Sequence, residues 1–326
     1  MYRGEILLSF SIDKYTAMLI LEVHSVVKRY KAVHALSGLN LKLSKGVTGL
    51  VGPNGAGKTT TIGILLGLLK PDGGTASVLG FDCWRNSFQV RKRVGILHEK
   101  PVYPGGFTGR RYLEHVAKFY GVDKPRERTA EMLKVVRFSE AADRNISTYS
   151  AGMVQRIGLA QALIGEPELV ILDEPTANLD PIGRVEFLET IRQLHAERGI
   201  SFIISTHVLG ELEIVCDQVA IINRGVVRVQ GKMQELTEKY RPKAYTVVVS
   251  DPHLFAKMVE GEPWAKQVKI EAGGRVVIKT DLGDRFQQGT IRIVQANKLR
   301  LTSMGPQYGA LEAIYRSAME EDENAK

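Results

Sequence analysis

Residues 52–60 read Gly-Pro-Asn-Gly-Ala-Gly-Lys-Thr-Thr and match the GxxxxGK[ST] pattern of a phosphate-binding loop. Apolar runs at residues 47–51 and 62–69 flank the loop and predict a strand before it and a helix after it. Glycines let backbone N–H groups turn toward phosphate oxygens, where a β-carbon would crowd. Lys58 supplies a charge to the β- and γ-phosphates, and the Thr59 hydroxyl is a candidate Mg²⁺ ligand. The candidate nucleotide contacts are Gly52, Pro53, Asn54, Gly55, Ala56, Gly57, Lys58, Thr59 and Thr60.

Two carboxylates follow a second apolar run. Residues 169–172 are Leu-Val-Ile-Leu, and Asp173 and Glu174 come directly after them. Four consecutive apolar residues are typical of a strand that is buried on both faces of a parallel sheet. We expect Asp173 to hold Mg²⁺ and Glu174 to act as general base, or to orient the water, for hydrolysis next to the γ-phosphate.

The order of patterns along the chain predicts the fold class. Between residues 18 and 240, short β-branched runs alternate with helical stretches, which predicts an α/β core with a mostly parallel sheet, as in P-loop NTPases. Residues 109–165 carry apolar residues at helical spacing and predict an inserted all-helical subdomain. Residues 241–326 predict a small α+β C-terminal domain, and residues 1–17 an N-terminal extension. A first strand is predicted to open with residues 18–23, Met-Leu-Ile-Leu-Glu-Val. Further strands are predicted at residues 47–51, 169–172, 201–205, 219–222, 244–249, 268–270, 276–279 and 299–303, and a final helix at 311–319.

Length and composition agree with two globular domains and exclude several classes of protein. The chain has 326 residues, of which 44% are apolar and 25% charged, so wholesale disorder is excluded. The two cysteines, Cys83 and Cys216, are too few for a disulfide scaffold and lack the paired spacing of a zinc site. No apolar run approaches the roughly 18 residues that span a bilayer. The net charge of +8 does not by itself choose among nucleic acid, anionic lipid and phosphate ligands.

The segment Tyr-Ser-Ala-Gly-Met-Val-Gln-Arg at residues 149–156 resembles the signature motif of ABC transporter ATPases. The resemblance covers residues 19–239 and includes Tyr30, Glu99, Asp180 and His207 in the order that the family has them. It implies that Tyr30 stacks on adenine and that Glu99 occupies the family's glutamine loop. It also implies that Asp180 lies in a loop touching the opposite subunit, and that His207 senses the γ-phosphate and helps hold the attacking water.

The same resemblance implies a composite site. Two chains would sandwich two ATP molecules head to tail, and Ser150 and Gly152 of one chain would complete the cage around the γ-phosphate on the other. These donors are expected at the N-terminus of a helix that starts near residues 151–153. The sequence departs from the family at Ala151, where a glycine is usual, and at Glu99, where a glutamine is usual. A carboxylate can also ligate Mg²⁺, so contact between Glu99 and the metal is still expected.

As a transporter subunit, the chain would need a separate multi-span membrane permease. The second ATPase subunit is expected to be another copy of this chain, both bound at the cytoplasmic face of the cell membrane. Residues 311–315, Leu-Glu-Ala-Ile-Tyr, and the segment at residues 149–156 resemble the ABC-2 exporter branch of the family. No nucleic-acid partner is expected.

Two other functions agree with parts of the sequence. A soluble ABC ATPase acting on nucleic acid or ribosomes is disfavoured, because the chain has one phosphate loop, no long coiled coil and no zinc cysteines. A P-loop GTPase or kinase with a coincidental signature is the other alternative, and the GTPase version lacks its Asn-Lys-x-Asp motif. A basic cluster, with Arg85 and residues 91–93, could contact a partner or lipid headgroups, or could be an ordinary solvated face.

Overall fold

The computed structural model describes the backbone of residues 19–324 and the side chains of residues 19–320. The predicted N-terminal extension, residues 1–17, lies outside the described residues. The strands are β1 Leu19–Tyr30, β2 Val33–Ser44, β3 Val47–Val51, β4 Gly73–Val78, β5 Phe81–Asp82, β6 Val94–Leu97, β7 Leu169–Asp173, β8 Ser201–Thr206, β9 Gln218–Asn223, β10 Val226–Lys232, β11 Ala244–Val249, β12 Gln267–Glu271, β13 Arg275–Lys279 and β14 Leu301–Pro306. The helices are α1 Lys58–Leu65, α2 Ser87–Arg93, α3 Gly109–Phe119, α4 Pro125–Val135, α5 Ala151–Leu163, α6 Pro181–Arg198, α7 Leu209–Val215, α8 Met233–Lys239, α9 Pro252–Val259, α10 Gly283–Ala296 and α11 Ala310–Asn324.

A six-stranded sheet forms the centre of the molecule, in the order β10-β9-β3-β8-β7-β6. Strands β9, β3, β8, β7 and β6 are parallel, and only β10 is antiparallel to its neighbour β9. Every residue of β3, β7 and β8 is buried, because helices pack on one face of the sheet, and α1 together with strands β1 and β2 packs on the other. The prediction of an α/β fold with a mostly parallel sheet is therefore confirmed, and the strands predicted at residues 47–51, 169–172, 201–205 and 219–222 all lie in this sheet.

The candidate site lies at the edge of this sheet where the parallel strands end. The loop at residues 52–57 follows β3, Glu174 follows β7, and His207 follows β8, and these three strands are neighbours in the sheet. In open α/β sheets ligands bind at the carboxyl ends of the strands. Residues distant in sequence are thus brought to one place by strand order.

An antiparallel sheet, β2-β1-β4-β5, packs on the central sheet. The sequence predicts the start of β1 but not strands β2, β4 and β5 or their pairing. The long strands β1 and β2 pair with four register shifts, one of them between Val23 and Val26. Ser25 has a positive φ of 48°, and its N–H donates to the Asn40 side chain. These bulges interrupt the alternation of apolar and polar residues, which is the signal that reveals a half-buried strand in a sequence.

Residues 109–165 fold as predicted, with helices α3, α4 and α5 and a 3₁₀ turn at Ile146–Thr148. Tyr149, just before α5, accepts a hydrogen bond from the Gly109 N–H on its hydroxyl and donates to the Ala141 carbonyl oxygen. The start of α3 and the start of α5 are therefore tied together. The strand-free stretch predicted from helical spacing is confirmed.

The last part of the chain has a sheet of its own, β12-β13-β11-β14, with α9 and α10 packed on it. Its core contains Phe255, Trp264 and Phe286. The final helix α11 packs elsewhere, against α7 and α8, where Leu311 and Ile314 are fully buried in the core beneath the central sheet. The division of the chain near residue 241 stays a prediction. Helix α11 follows that division in the sequence and packs against α7 and α8, which precede it.

We expect Leu311→Ala to lower the free energy of unfolding by about 2–5 kcal/mol, because it removes a buried side chain and leaves a cavity. The matched control is Leu68→Ala at a side chain that is 55% exposed, which we expect to change stability by no more than about 0.5 kcal/mol. Urea denaturation followed by circular dichroism measures both. Equal midpoints for the two variants would show that α11 does not contribute to the core as its burial indicates.

Candidate functional site

The phosphate loop has the backbone that its glycines predict. Gly57 has a φ of 108° and caps the N-terminus of α1, and a β-carbon there would lie 2.8 Å from the Ala35 carbonyl oxygen. A β-carbon on Gly52 would lie 2.3 Å from the Ile222 carbonyl oxygen. Neither position accommodates a side chain without displacing backbone, so both glycines are required by close approach.

Groups of the protein itself hold the Lys58 side chain at the loop. It is 7% exposed, and its ammonium donates to the Gly52 carbonyl oxygen at 2.7 Å. Its nitrogen lies 3.7 Å from a carboxylate oxygen of Glu174. These carbonyl and carboxylate partners hold the ammonium in position, and phosphate oxygens can take their place.

Thr59 and Asp173 provide two oxygens suited to a hard cation. The Thr59 hydroxyl donates to Asp173 across 3.4 Å. Burial raises the pKa of the Asp173 carboxyl above its ordinary value, and the charges of Glu174 and Glu99 raise it further. A bound cation would relieve this unfavourable charge, and Mg²⁺ typically takes one or two protein oxygens together with phosphate oxygens and water. The residues therefore fit Mg²⁺, although within residues 19–324 no group of three His, Cys, Asp or Glu side chains could hold a metal alone.

Glu174 and His207 form a second pair at the same sheet edge. The two carboxylate oxygens of Glu174 lie 3.0 and 3.1 Å from Nδ1 of His207. Glu174 has a positive φ of 47°, and its N–H donates to the Ser205 carbonyl oxygen on β8. A non-glycine residue in this strained conformation persists only where its surroundings fix it. The structure thus brings together Lys58, Thr59, Asp173, Glu174 and His207, as the sequence predicted.

Tyr30 and Glu99 lie at the margins of this site. Tyr30 ends β1 at the hairpin with β2, is 44% exposed and has the Lys28 ammonium 5.5 Å from its ring centroid. The same hairpin packs against Gly57 through Leu36, which places Tyr30 on the phosphate-loop side of the molecule. Glu99 follows β6 and is half-exposed, and its backbone oxygen accepts a bond of 3.5 Å from the Gln155 side chain.

Ser150, Gly152 and Asp180 lie in a different place from the phosphate loop. They border a cavity of about 240 Å³ whose lining includes Leu179 and Phe187 but none of residues 52–59. Ser150 caps α5, with its hydroxyl accepting from the Met153 N–H, and α5 begins at Ala151 as predicted. Asp180 caps α6 in the same way, accepting from the Gly183 N–H. Two helix N-termini therefore meet at this cavity, and each adds partial positive charge.

One buried carboxylate at the site was not found from the sequence. Glu211 on α7 accepts a hydrogen bond from the Thr176 hydroxyl and contacts Arg184 at 3.4 Å. Its only signal in the sequence is its position four residues after His207, and an isolated acidic residue on a short helix is usually solvated. Its partners are 27 and 35 residues away, so only the folded chain reveals it.

Comparison with known proteins identifies the family. The pattern of the ABC transporter family matches residues 36–177. The bacitracin transport ATP-binding protein BcrA of Bacillus licheniformis is 34% identical over 83% of this chain and 88% of its own length. The daunorubicin resistance ATP-binding protein DrrA3 of Streptomyces coeruleorubidus is 30% identical over 93% of this chain and 97% of its own. Among solved structures, cbiO1 of Clostridium perfringens, part of the ABC transporter complex cbiONQ, superposes with a TM-score of 0.62 at 29% identity, covering 68% of this chain and 92% of that one.

The chain belongs to the ATP-binding proteins of ABC transporters, a family of ATPases with the P-loop NTPase fold. The resemblance drawn from residues 149–156 is confirmed by this match. Of the helices described, none is both long and apolar enough to cross a membrane.

The raised pKa of Asp173 predicts how the stability of the nucleotide-free protein depends on pH. A carboxyl whose pKa is raised by folding stabilises the folded chain while protonated, and this contribution is lost as the pH rises through the raised pKa. At about pH 7–8, well above the ordinary Asp pKa of roughly 3.9, we therefore expect Asp173→Asn to unfold at a higher temperature than the wild type. The difference between the two unfolding temperatures should shrink as the pH falls toward about 4. Thermal unfolding without nucleotide or divalent cation measures it, with Asp123→Asn, at an exposed carboxylate, as control. A variant less stable than the wild type at neutral pH would contradict the account.

Proposed function

We propose that this chain is the ATP-hydrolysing subunit of an ABC exporter, and that it works as a pair of subunits on a separate membrane permease. One observation carries the proposal: the groups suited to ATP lie in two places on the chain. Lys58 and Glu174 lie at the phosphate loop, whereas Ser150 and Asp180 border another cavity. Two chains arranged head to tail would bring one place against the other, so that each ATP is enclosed from both sides.

The phosphate loop supplies the binding half of the proposed site. Backbone N–H groups of residues 52–60 surround the phosphates, Lys58 exchanges its carbonyl partners for β- and γ-phosphate oxygens, and Tyr30 stacks on the base. The oxygens of Thr59 and Asp173 hold Mg²⁺, and Glu99, whose charge acts on Asp173, is a further candidate ligand. When bound, Mg²⁺ supplies positive charge that neutralises the phosphate oxygens.

Glu174 and His207 supply the hydrolytic half of the proposed site. With Nδ1 protonated, His207 donates to the Glu174 carboxylate and fixes its orientation. Glu174 accepts a proton from the attacking water as the water approaches the γ-phosphate, or orients that water. The neighbouring Lys58 ammonium stabilises the negative charge that spreads over the phosphoryl oxygens.

The second subunit would complete the site with Ser150 and the N-terminus of α5. The Ser150 hydroxyl and the first N–H groups of that helix are donors suited to γ-phosphate oxygens. Gly152 has no side chain to stand between these donors and a phosphate, and a β-carbon built there would contact Leu179 at 3.4 Å, an ordinary van der Waals distance. Because these donors reach only a γ-phosphate, ATP holds the pair together and hydrolysis releases it.

An exporter role and a permease partner are proposed from relatives and from the surface. The relatives include one named for bacitracin transport and one for daunorubicin resistance. The segments around Gly67, Cys83 and Ser87 lie against one another, and their surface exposes Leu68, Trp84 and Phe88, of which Phe88 is 70% exposed. Residues 83–98 contain four arginines and lysines and no carboxylate. An apolar and basic face of this kind suits a cytoplasmic loop of a membrane protein, which supports the proposal that the chain works at the cytoplasmic face of the membrane.

We expect Glu174→Gln to bind ATP, to lose turnover and to form a dimer that size-exclusion chromatography detects with ATP but not with ADP, because the amide keeps the shape of the carboxylate but accepts no proton. Adding Ser150→Arg to this variant should abolish the dimer while leaving ATP binding to the monomer, since the arginine blocks only the second half of the site. A Glu174→Gln variant with wild-type turnover would remove Glu174 from its proposed role.

Affinity purification from detergent-solubilised membranes tests the transporter role. We expect a multi-span membrane protein to co-purify with the chain and to be lost with Phe88→Glu, which places a charge in the exposed apolar face. Ile291→Glu, at a side chain that is 45% exposed in the C-terminal region, is the matched control and should retain the partner. Recovery of ribosomal RNA in place of a membrane protein would favour the soluble ATPase alternative.

A further inference from the structure

A network of polar contacts, here called the brace, joins the loop after Glu174 to the helix after His207; its Arg184 side chain is 37% exposed. The Thr176 hydroxyl donates to Oε2 of Glu211 on α7 at 2.5 Å, and Thr176 itself is 2% exposed. The other carboxylate oxygen of Glu211 lies 3.4 Å from the Arg184 guanidinium. The Glu211 side chain is 12% exposed, so these two partners replace most of its contact with water.

Arg184 extends the brace to the far end of the same loop. Its Nε donates to the Leu179 carbonyl oxygen at 2.9 Å, next to Asp180. Glu211 therefore holds the loop near its start directly and near its end through Arg184. A charge-assisted network of this kind restricts the loop more than a single neutral hydrogen bond would.

The helix that carries Glu211 begins directly after His207. The Val208 N–H donates to the Thr206 hydroxyl at 3.1 Å, and α7 starts at the next residue. Leu212 of α7 is fully buried, so the helix is fixed to the core. The loop held by Glu211 begins at Glu174, whose carboxylate contacts His207. Glu211 thus closes a ring of contacts around the Glu174–His207 pair without touching either residue.

We propose that Glu211 is a positioning residue for ATP hydrolysis: through Thr176 and Arg184 it keeps the loop of residues 174–180 in place relative to His207. The inference rests on the proposed roles of Glu174 and Asp180. Loss of the brace lets the loop shift at both ends, which displaces Glu174 from the attacking water and moves Asp180 away from its place beside Ser150. The phosphate loop, on the other side of Glu174, is not part of the brace.

Steady-state kinetics of the purified full-length chain separate positioning from ATP binding. We expect Glu211→Ala to lower kcat by about tenfold or more, since small displacements of reacting groups are costly, while KM for ATP changes by less than about threefold. Glu211→Gln keeps one oxygen that can accept from Thr176, whereas its amide nitrogen cannot accept from Arg184, so it should recover part of the lost kcat. A variant with general damage would not be rescued in this way.

Two further variants test the route through Thr176. Thr176→Val removes the hydroxyl at nearly constant volume and should lower kcat as Glu211→Ala does. The double variant should lose little more than either single one, because both remove the same interaction. Glu213→Ala is the matched control, since Glu213 lies on the same helix and accepts from the Leu311 N–H at 2.7 Å, outside the brace. We expect this control to lower the thermal midpoint and leave kcat near the wild-type value.

The results for Glu174→Gln distinguish failure of this inference from failure of the proposed function. If Glu174→Gln is inactive and Glu211→Ala keeps wild-type kcat, the positioning role is wrong and the proposed function stands. If Glu174→Gln is active, the proposed hydrolytic site itself is wrong. A fall in kcat for Glu213→Ala equal to that for Glu211→Ala, or fully additive losses in the double variant, would also overturn the inference.

Discussion

Three parallel strands that lie side by side, β3, β8 and β7, end at the same edge of the central sheet, and the candidate site depends on this arrangement. Each strand is entirely buried, so its end is fixed by packing on both faces of the sheet. The residues that follow them, from Lys58 to His207, need no long loop to meet. The backbone geometry therefore positions the site before any ligand contributes.

The buried carboxylates at this edge carry more negative charge than the one neighbouring ammonium balances. Asp173 and Glu174 are largely buried and face one ammonium, that of Lys58, whose nearest partners are backbone carbonyl oxygens. Because desolvation disfavours ionised carboxylates, the nucleotide-free site is held at some cost in free energy, as the raised pKa of Asp173 indicates. A cation at Thr59 and Asp173 would remove that cost, so the same residues that destabilise the empty site favour binding of a metal nucleotide.

Helix α7 connects this edge with the end of the chain. Glu211 points from it toward the loop after Glu174, and Glu213 accepts a hydrogen bond from the first turn of α11. Two carboxylates two residues apart on one short helix thus have partners in different parts of the molecule. The C-terminal helix, whose Leu311 is buried in the core of the ATPase, is therefore connected through α7 to the loop that follows Glu174.

The sequence by itself determined the features that reside in short segments: the phosphate loop at residues 52–60, the apolar strand before Asp173, the capped start of α5 at Ser150 and the helical stretch at residues 109–165. Each of these depends on local periodicity or on a residue type that a turn requires, so it can be predicted without knowing what packs against it. Only the tertiary structure decided the strand order, the irregular β1–β2 pair, the docking of α11 and the partners of Glu211. These depend on which buried surfaces meet across long separations in the chain, and bulges or single polar residues leave no periodic signal of such contacts.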